Sequence, residues 1–302
     1  MAEASTASKP AAASKPAGPT KLAGGKKERQ SNIEGVLRIR PIKPGETPCL
    51  VANEQKGFTI SLDGAHYGED TFSAVLGSKV SQHDVFLTVG QPIIESMMRG
   101  ERACLFAYGQ TGSGKTYSMY GADGGKNPSK LNGSVPTICA ELFRKKQELE
   151  RRNGAIKMTI TATLVEVRGD QIVDLIAEPL PGPAGGQPWR KLVDGVVMDA
   201  HEEMINGTRH LTDMIERGMS RRTTGANIMH ANSSRSHAFL TVYVDKQTGD
   251  GEGKVKKERT CMHLIDLAGS EKFAAGDDSA GKNSTTSYFL LPTSYFLLPT
   301  SY

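Results

Sequence analysis

Cysteine is scarce in this chain: four residues, at positions 49, 104, 139 and 261, with no CxxC pair and no histidine spaced as a co-ligand. That scarcity argues against a disulfide framework or a thiolate zinc site and reads as reduced, mostly buried thiols in a cytosolic protein. Long apolar runs are also missing, so no membrane span is expected. An excess of one charge is lacking over most of the length. The formal net charge is +4, and residues 1–30 alone hold six Lys or Arg against two Glu, which accounts for the whole surplus. That segment is Ala, Lys, Pro and Gly with one leucine, too little apolar area to offset the entropy of ordering, so it is expected to be disordered. It lacks the apolar centre of a signal peptide and is rich in Lys rather than Arg, so targeting is not indicated.

What is present suits one sizeable α/β domain: 302 residues, 37% hydrophobic, with strand-like and helix-like stretches in alternation. Gly35 to Ile39 reads as a strand stopped by Pro41, residues 43–57 as loop, and Phe58 to Leu62 as a strand. Gln82 to Arg99 carries a helical apolar stripe despite Pro92. Pro136 to Arg152 reads as a helix with Ile138, Leu142 and Leu149 inward, and Met158 to Glu166 alternates like a strand. Pro179 to Pro188 reads as a surface loop.

The most informative run is Gly109, Gln110, Thr111, Gly112, Ser113, Gly114, Lys115 and Thr116. An apolar strand, Ala103 to Tyr108, precedes it, and Tyr117 to Tyr120 can continue a helix after it, which is the context a phosphate-binding loop needs. Glycines let the backbone turn its amides inward on an anion. Lys115 supplies a mobile positive charge for phosphate oxygens, and the Thr116 hydroxyl stands where it can ligate a metal. Further on, Asn232, Ser233, Ser234, Arg235, Ser236 and His237 precede a strand-like stretch, Ala238 to Val244. Hydroxyls beside a guanidinium suit a loop that senses a terminal phosphate. Leu264, Ile265, Asp266, Leu267, Ala268, Gly269, Ser270 and Glu271 then place a carboxylate at the end of an apolar strand, followed by a glycine. His237 itself reads as a structural hydrogen-bonding residue rather than a base.

Together, AYGQTGSGKT, NSSRSH and DLAGSE resemble the motor domain of the kinesin family, in the family's order. Val36 to Pro41 resembles the family's first strand, Gly133 to Pro136 its approach to the second helix, and Glu166 to Leu175 a later conserved segment. The similarity covers about residues 33 to 272. It implies an α/β P-loop NTPase fold with a central, mostly parallel mixed sheet flanked by helices. It also implies three parts: a basic tail over 1–30, a motor domain over 31–272 that is incomplete at its C-terminal side, and a low-complexity tail over 273–302.

By the same resemblance, Arg38, Arg40, Pro41 and Tyr117 would border an adenine and residues 109–116 the phosphates of ATP. Thr116 and Ser234 would flank Mg²⁺, with Asp266 holding the ion through water. Gly269 would sense the γ-phosphate by its amide, and Arg235 would pair with Glu271 to organise the attacking water, with Ser233 in the same loop. Catalysis of this kind is positioning and electrostatic stabilisation. The implied partners are ATP and microtubules, with no membrane and no specific nucleic acid, in the cytoplasm on the cytoskeleton. The basic tail would add a weak attraction to an acidic surface such as tubulin's tails, and the family touches tubulin near 179–188, where Arg190 and Lys191 follow. The chain departs from the family pattern at Asn227, at His230 and in the middle of Glu166 to Asp170.

After Lys272 the resemblance stops. Residues 286–292 and 293–299 repeat Thr-Ser-Tyr-Phe-Leu-Leu-Pro, which reads as the seven-base unit ACTTCCT translated through three frames, a reading-frame artefact. Two functions follow: a microtubule motor ATPase, or a truncated nucleotide-binding or microtubule-associated remnant without motor activity. A GTPase lacks support, because no Asn-Lys-x-Asp guanine-reading motif occurs.

Overall fold

A computed structural model describes residues 34–42, 44, 51–53, 59–62, 65–67, 72–125, 132–178, 189–193, 196–226, 235–249 and 253–270. The chain begins with β1 (Val36–Arg38). An antiparallel meander follows, made of β2 (Val51–Asn53), β3 (Thr59–Leu62) and β4 (Ala65–Tyr67), and then β5 (Ala74–Leu76), which pairs parallel with β1. The strand β2 corrects the reading of 43–57 as loop throughout. Its three residues are held by pairing with β3, a contact that local Gly and Pro content does not reveal.

The stripe over Gln82–Arg99 folds as α1 (Gln82–Val85), one π-helical turn (Phe86–Gly90) and α2 (Gln91–Met98). Ser81 starts it with a reciprocal capping box to Asp84. Pro92 is accommodated in the first turn of α2, just after the Gln91 N–H has bonded back to Phe86 O across the wider π turn. Next come β6 (Ala103–Ala107), α3 (Lys115–Tyr120) and α4 (Ser134–Arg152). On α4, Ile138, Cys139, Leu142 and Phe143 are buried, while Glu141, Arg144, Glu148 and Arg152 pair along the outer face.

The second half contains β7 (Ile156–Arg168), β8 (Gln171–Asp174), β9 (Trp189–Arg190), β10 (Leu192–Val193), β11 (Val196–Val197) and β12 (Glu203–Met204). It ends with α5 (Thr208–Ala226), β13 (His237–Gly249) and β14 (Val255–Asp266). The main sheet runs β6-β14-β13-β7-β8-β9, with β12 also on β7. The fold is mixed α/β with a central mixed sheet, but the expected predominance of parallel pairing is corrected. Among the described strands of this sheet only β6 with β14 is parallel; β14 with β13, β13 with β7, and β7 with β8 and β12 are antiparallel. The cause is connection length. Gly169 and Asp170 turn β7 directly into β8, and β14 starts at Val255 soon after β13 ends at Gly249, whereas a parallel neighbour needs a long crossover.

The described helices share one face: α4 packs on α2, α3 and α5, and these reach β6, β7 and β14. Ala103, Leu105 and Ala107 of β6, with Met262 and Leu264 of β14, are buried there. Cys104, Phe106, Cys261, His263 and Ile265, on the opposite face, are half-buried. In β7 the expected alternation gives way to continuous burial from Ile160 to Glu166, because both its faces are covered. No helix among the described residues is long and apolar enough to cross a membrane.

Candidate functional site

Parallel pairing of β6 with β14 sets the site. It places Asp266 opposite Ala107, so the carboxylate at the end of one strand stands beside the loop that leaves the other. That loop is bent at Gly112 (φ +79°) and Gly114 (φ +99°), left-handed positions where any side chain would be strained, and Gly114 leads directly into α3. Thr116, in the first turn of α3, donates its hydroxyl to Asp266 Oδ2 at 2.8 Å, across 150 residues of sequence. Lys115 Nζ donates to the carbonyls of Gly109 (2.8 Å) and Gln110 (2.9 Å), which keeps its charge over the loop.

Residues after Asp266 line the same loop. Leu267 N–H reaches Ala107 O (3.4 Å) and Ser270 N–H donates to Gly109 O (3.1 Å), so Gly269 lies on a backbone segment tied to the loop's start. Ala268 N–H donates to His237 Nδ1 at 3.0 Å. That bond needs a neutral imidazole, and burial together with the nearby Arg222 charge holds the His237 pKa below its ordinary value.

A cleft of about 330 Å³ opens beside the loop. Arg38, Arg40, Pro41, Tyr117 and residues 112–115 border it. Arg38 Nη1 donates to Gln82 Oε1 (2.8 Å) and Ser118 Oγ (2.7 Å), and its guanidinium lies 5.4 Å from the Tyr117 ring centre. Gln82 Nε2 in turn donates to Tyr117 O at 2.7 Å. Tyr117 is 46% exposed and presents a flat apolar face at the cleft's rim.

Most of the sequence-derived site residues in the described part therefore converge: Arg38, Arg40, Pro41, Gly109, Gln110, Thr111, Gly112, Ser113, Gly114, Lys115, Thr116, Tyr117, Asp266 and Gly269 lie on or beside one loop and cleft. Arg235 is exposed at the start of the segment leading into β13. Ser233, Ser234 and Glu271 lie outside the described residues, as do residues 179–188 and the whole of 1–30 and 273–302. Sequence reasoning missed Gln82 and Arg222 as parts of the site. The signal for Arg222 was available: Leu211, Met214, Ile215 and Met219 form the buried stripe of α5, and an arginine follows in step with it.

A magnesium ion fits the donor set. Asp266 is 1% exposed, and its Oδ1 has no hydrogen-bond partner among the described residues, while Oδ2 already accepts from Thr116. A buried carboxylate oxygen left in this state suits a hard cation or its water.

The kinesin motor domain profile matches residues 38–288. The chain belongs to that family. Kinesin-like protein KIN-14C of Oryza sativa subsp. japonica is 34% identical over 263 residues, covering 82% of this chain and 25% of that protein. Kinesin-like protein K39 of Leishmania chagasi is 33% identical over 231 residues, covering 70% and 24%. This kinesin chain thus spans about a quarter of the length of either relative. A solved fast-kinesin structure, described in terms of ATPase mechanism and interactions with microtubules, matches with a TM-score of 0.68 at 24% identity, covering 84% of this chain and 70% of that one. That likeness carries the fold.

Proposed function

We propose that this kinesin chain binds ATP with Mg²⁺ in the cleft beside residues 109–116, hydrolyses it, and couples hydrolysis to microtubules on the cytoskeleton. The observation that carries the reading is the Thr116–Asp266 hydrogen bond, which draws a phosphate-binding loop and an acidic strand end into one metal-ready pair. Loop amides and Lys115 hold the phosphates, Lys115 exchanging its two carbonyl partners for phosphate oxygens. Arg38, Arg40, Pro41 and Tyr117 hold the base. Thr116, Ser234 and Asp266 hold the metal, whose charge, when bound, offsets that of the phosphate oxygens. The Gly269 amide reads the terminal phosphate, and Arg235 with Glu271 and Ser233 orders the attacking water.

Lys115→Ala is expected to lower nucleotide affinity at least about ten-fold, the loss of one charged hydrogen-bonding partner, without shifting the thermal midpoint. Equilibrium binding of a fluorescent ATP analogue checks it, and unchanged affinity would refute the site. A second reading, nucleotide binding without motor turnover, is favoured by one observation: among the described residues β6 pairs only with β14, and β1 with β5 stands as a separate ladder. Microtubule-stimulated ATP hydrolysis separates the two. Stimulation supports the motor, and binding without turnover supports the second reading.

A further inference from the structure

Behind the metal-ready pair lies a cluster of buried charge that the proposed reaction does not use directly. Arg222, near the end of α5, is only 3% exposed. Its Nη1 donates to Asp266 Oδ2 at 3.1 Å, its Nη2 donates to Ser236 O at 2.8 Å, and its Nε donates to Ser236 Oγ at 3.3 Å. The same Nε lies 3.6 Å from Oε1 of Glu166, a carboxylate on β7 that is 1% exposed. Ser236 Oγ donates to that Oε1 at 2.6 Å, and Arg168 Nη2 is 2.6 Å from Glu166 Oε2.

Two features give this cluster a role beyond packing. Buried ion pairs are close to neutral for stability compared with apolar residues of similar size, so stability alone is a weak account of an arginine on the buried face of a helix. Its contacts are also one-sided. Both Thr116 and Arg222 donate to Oδ2 of Asp266, and Oδ1 has no donor among the described residues. Two donors converging on one oxygen fix the carboxylate's rotation and present the other oxygen. A planar guanidinium that also grips Ser236 does this better than an ammonium could.

We infer that Arg222 is a positioning residue for the metal: it holds the Asp266 carboxylate in the rotation that serves Mg²⁺ and locks that rotation to the start of β13 through Ser236. The inference rests on the ATP–Mg²⁺ reading above. Glu166 offsets the buried guanidinium's charge from 3.6 Å, whereas the hydrogen bonds that set its place go to Asp266 and Ser236.

The test follows release of N-methylanthraniloyl-ADP from the full chain, with Mg²⁺ and then with excess EDTA. The ratio of the two release rates is the metal's contribution to nucleotide retention. In the unsubstituted chain, release is expected to be slower with Mg²⁺. Equal rates there would defeat the metal reading itself, before any variant is made. Arg222→Gln is expected to cut the ratio about ten-fold, the scale of one charged hydrogen bond, with release in EDTA unchanged. Arg222→Lys, which keeps the charge and loses the fork, is expected to fall between. Glu166→Gln, which perturbs the same buried cluster, is expected to leave the ratio intact. The inference is overturned if both Arg222 variants keep the full ratio, if Glu166→Gln lowers it as much as Arg222→Gln does, or if the Arg222 variants speed release equally in both conditions. Should Arg222→Gln not fold, the Arg222→Lys comparison decides by the same criteria.

Discussion

Asp266 shows how single residues carry the site. The loop's glycines, Lys115 and Thr116 were legible because their chemistry depends on local spacing, which a sequence displays directly. For Arg222 the helical stripe marks a buried position, but not the partner, which lies 44 residues away and becomes a neighbour only on folding. Glu166 contacts Arg222 and Ser236 behind the site rather than facing the cleft. His237 was read as a hydrogen-bonding residue and accepts from Ala268. Its pKa, like that of His263, is held below the ordinary 6.5, chiefly by burial. The unfolded chain therefore takes up protons near pH 6.5 before the folded chain does. Stability is full above that pH and falls as the solution is acidified toward the lowered folded values. Urea midpoints at pH 7.5 and 5.5 should show the decline, and His237→Asn should shrink the difference while His263 preserves part of it. A midpoint that rises on acidification would contradict this.

At the level of elements, long periodic segments were readable and pairing was not. The stripe of α4 and the apolar run of β6 stand out, whereas α5 is harder to read because Gly218 and Arg222 interrupt its buried side. Gly218 is there for contact: a Cβ at that position would fall 2.4 Å from Leu164 Cδ2 on β7. The tighter case is Gly133, which precedes α4, where a Cβ would lie 2.4 Å from Met119 O in α3. A leucine methyl can shift, but a helix carbonyl cannot without moving α3, the helix that carries Lys115 and Thr116. Gly133→Ala is therefore expected to cost more than Gly218→Ala, at roughly 1–3 kcal/mol for forced overpacking. It should also weaken nucleotide binding, which Gly218→Ala should spare. Chemical denaturation paired with nucleotide titration of each variant measures both effects. Strand direction, by contrast, was misjudged, since nothing in β13 or β14 taken alone says which neighbour each will meet.

Across the whole molecule, cover is uneven. Described helices gather on one side of the sheet, while Cys104, Phe106, Cys261 and Ile265 on the other remain half-buried. The outer edge of β6 has no ladder partner among the described residues. A half-covered apolar sheet face favours association between chains. The purified chain is accordingly expected to self-associate as its concentration rises. Sedimentation velocity over a hundred-fold range would show it, and a sedimentation coefficient independent of concentration would count against it. Cys104 on this face and Cys139, buried in α4, are poor nucleophiles: burial pushes the Cys104 thiol up to about 11 and that of Cys139 up to about 12.

The register that sets Asp266 beside Ala107 also has a consequence in time. Loop and carboxylate come from distant parts of the chain, and such long-range contacts are slow to form because the intervening chain must first be gathered in. Until β14 has zipped along β6 there is nowhere for a metal to sit. A magnesium nucleotide added during refolding would therefore act as a clock for the last stage of assembly, its capture lagging behind the appearance of helix.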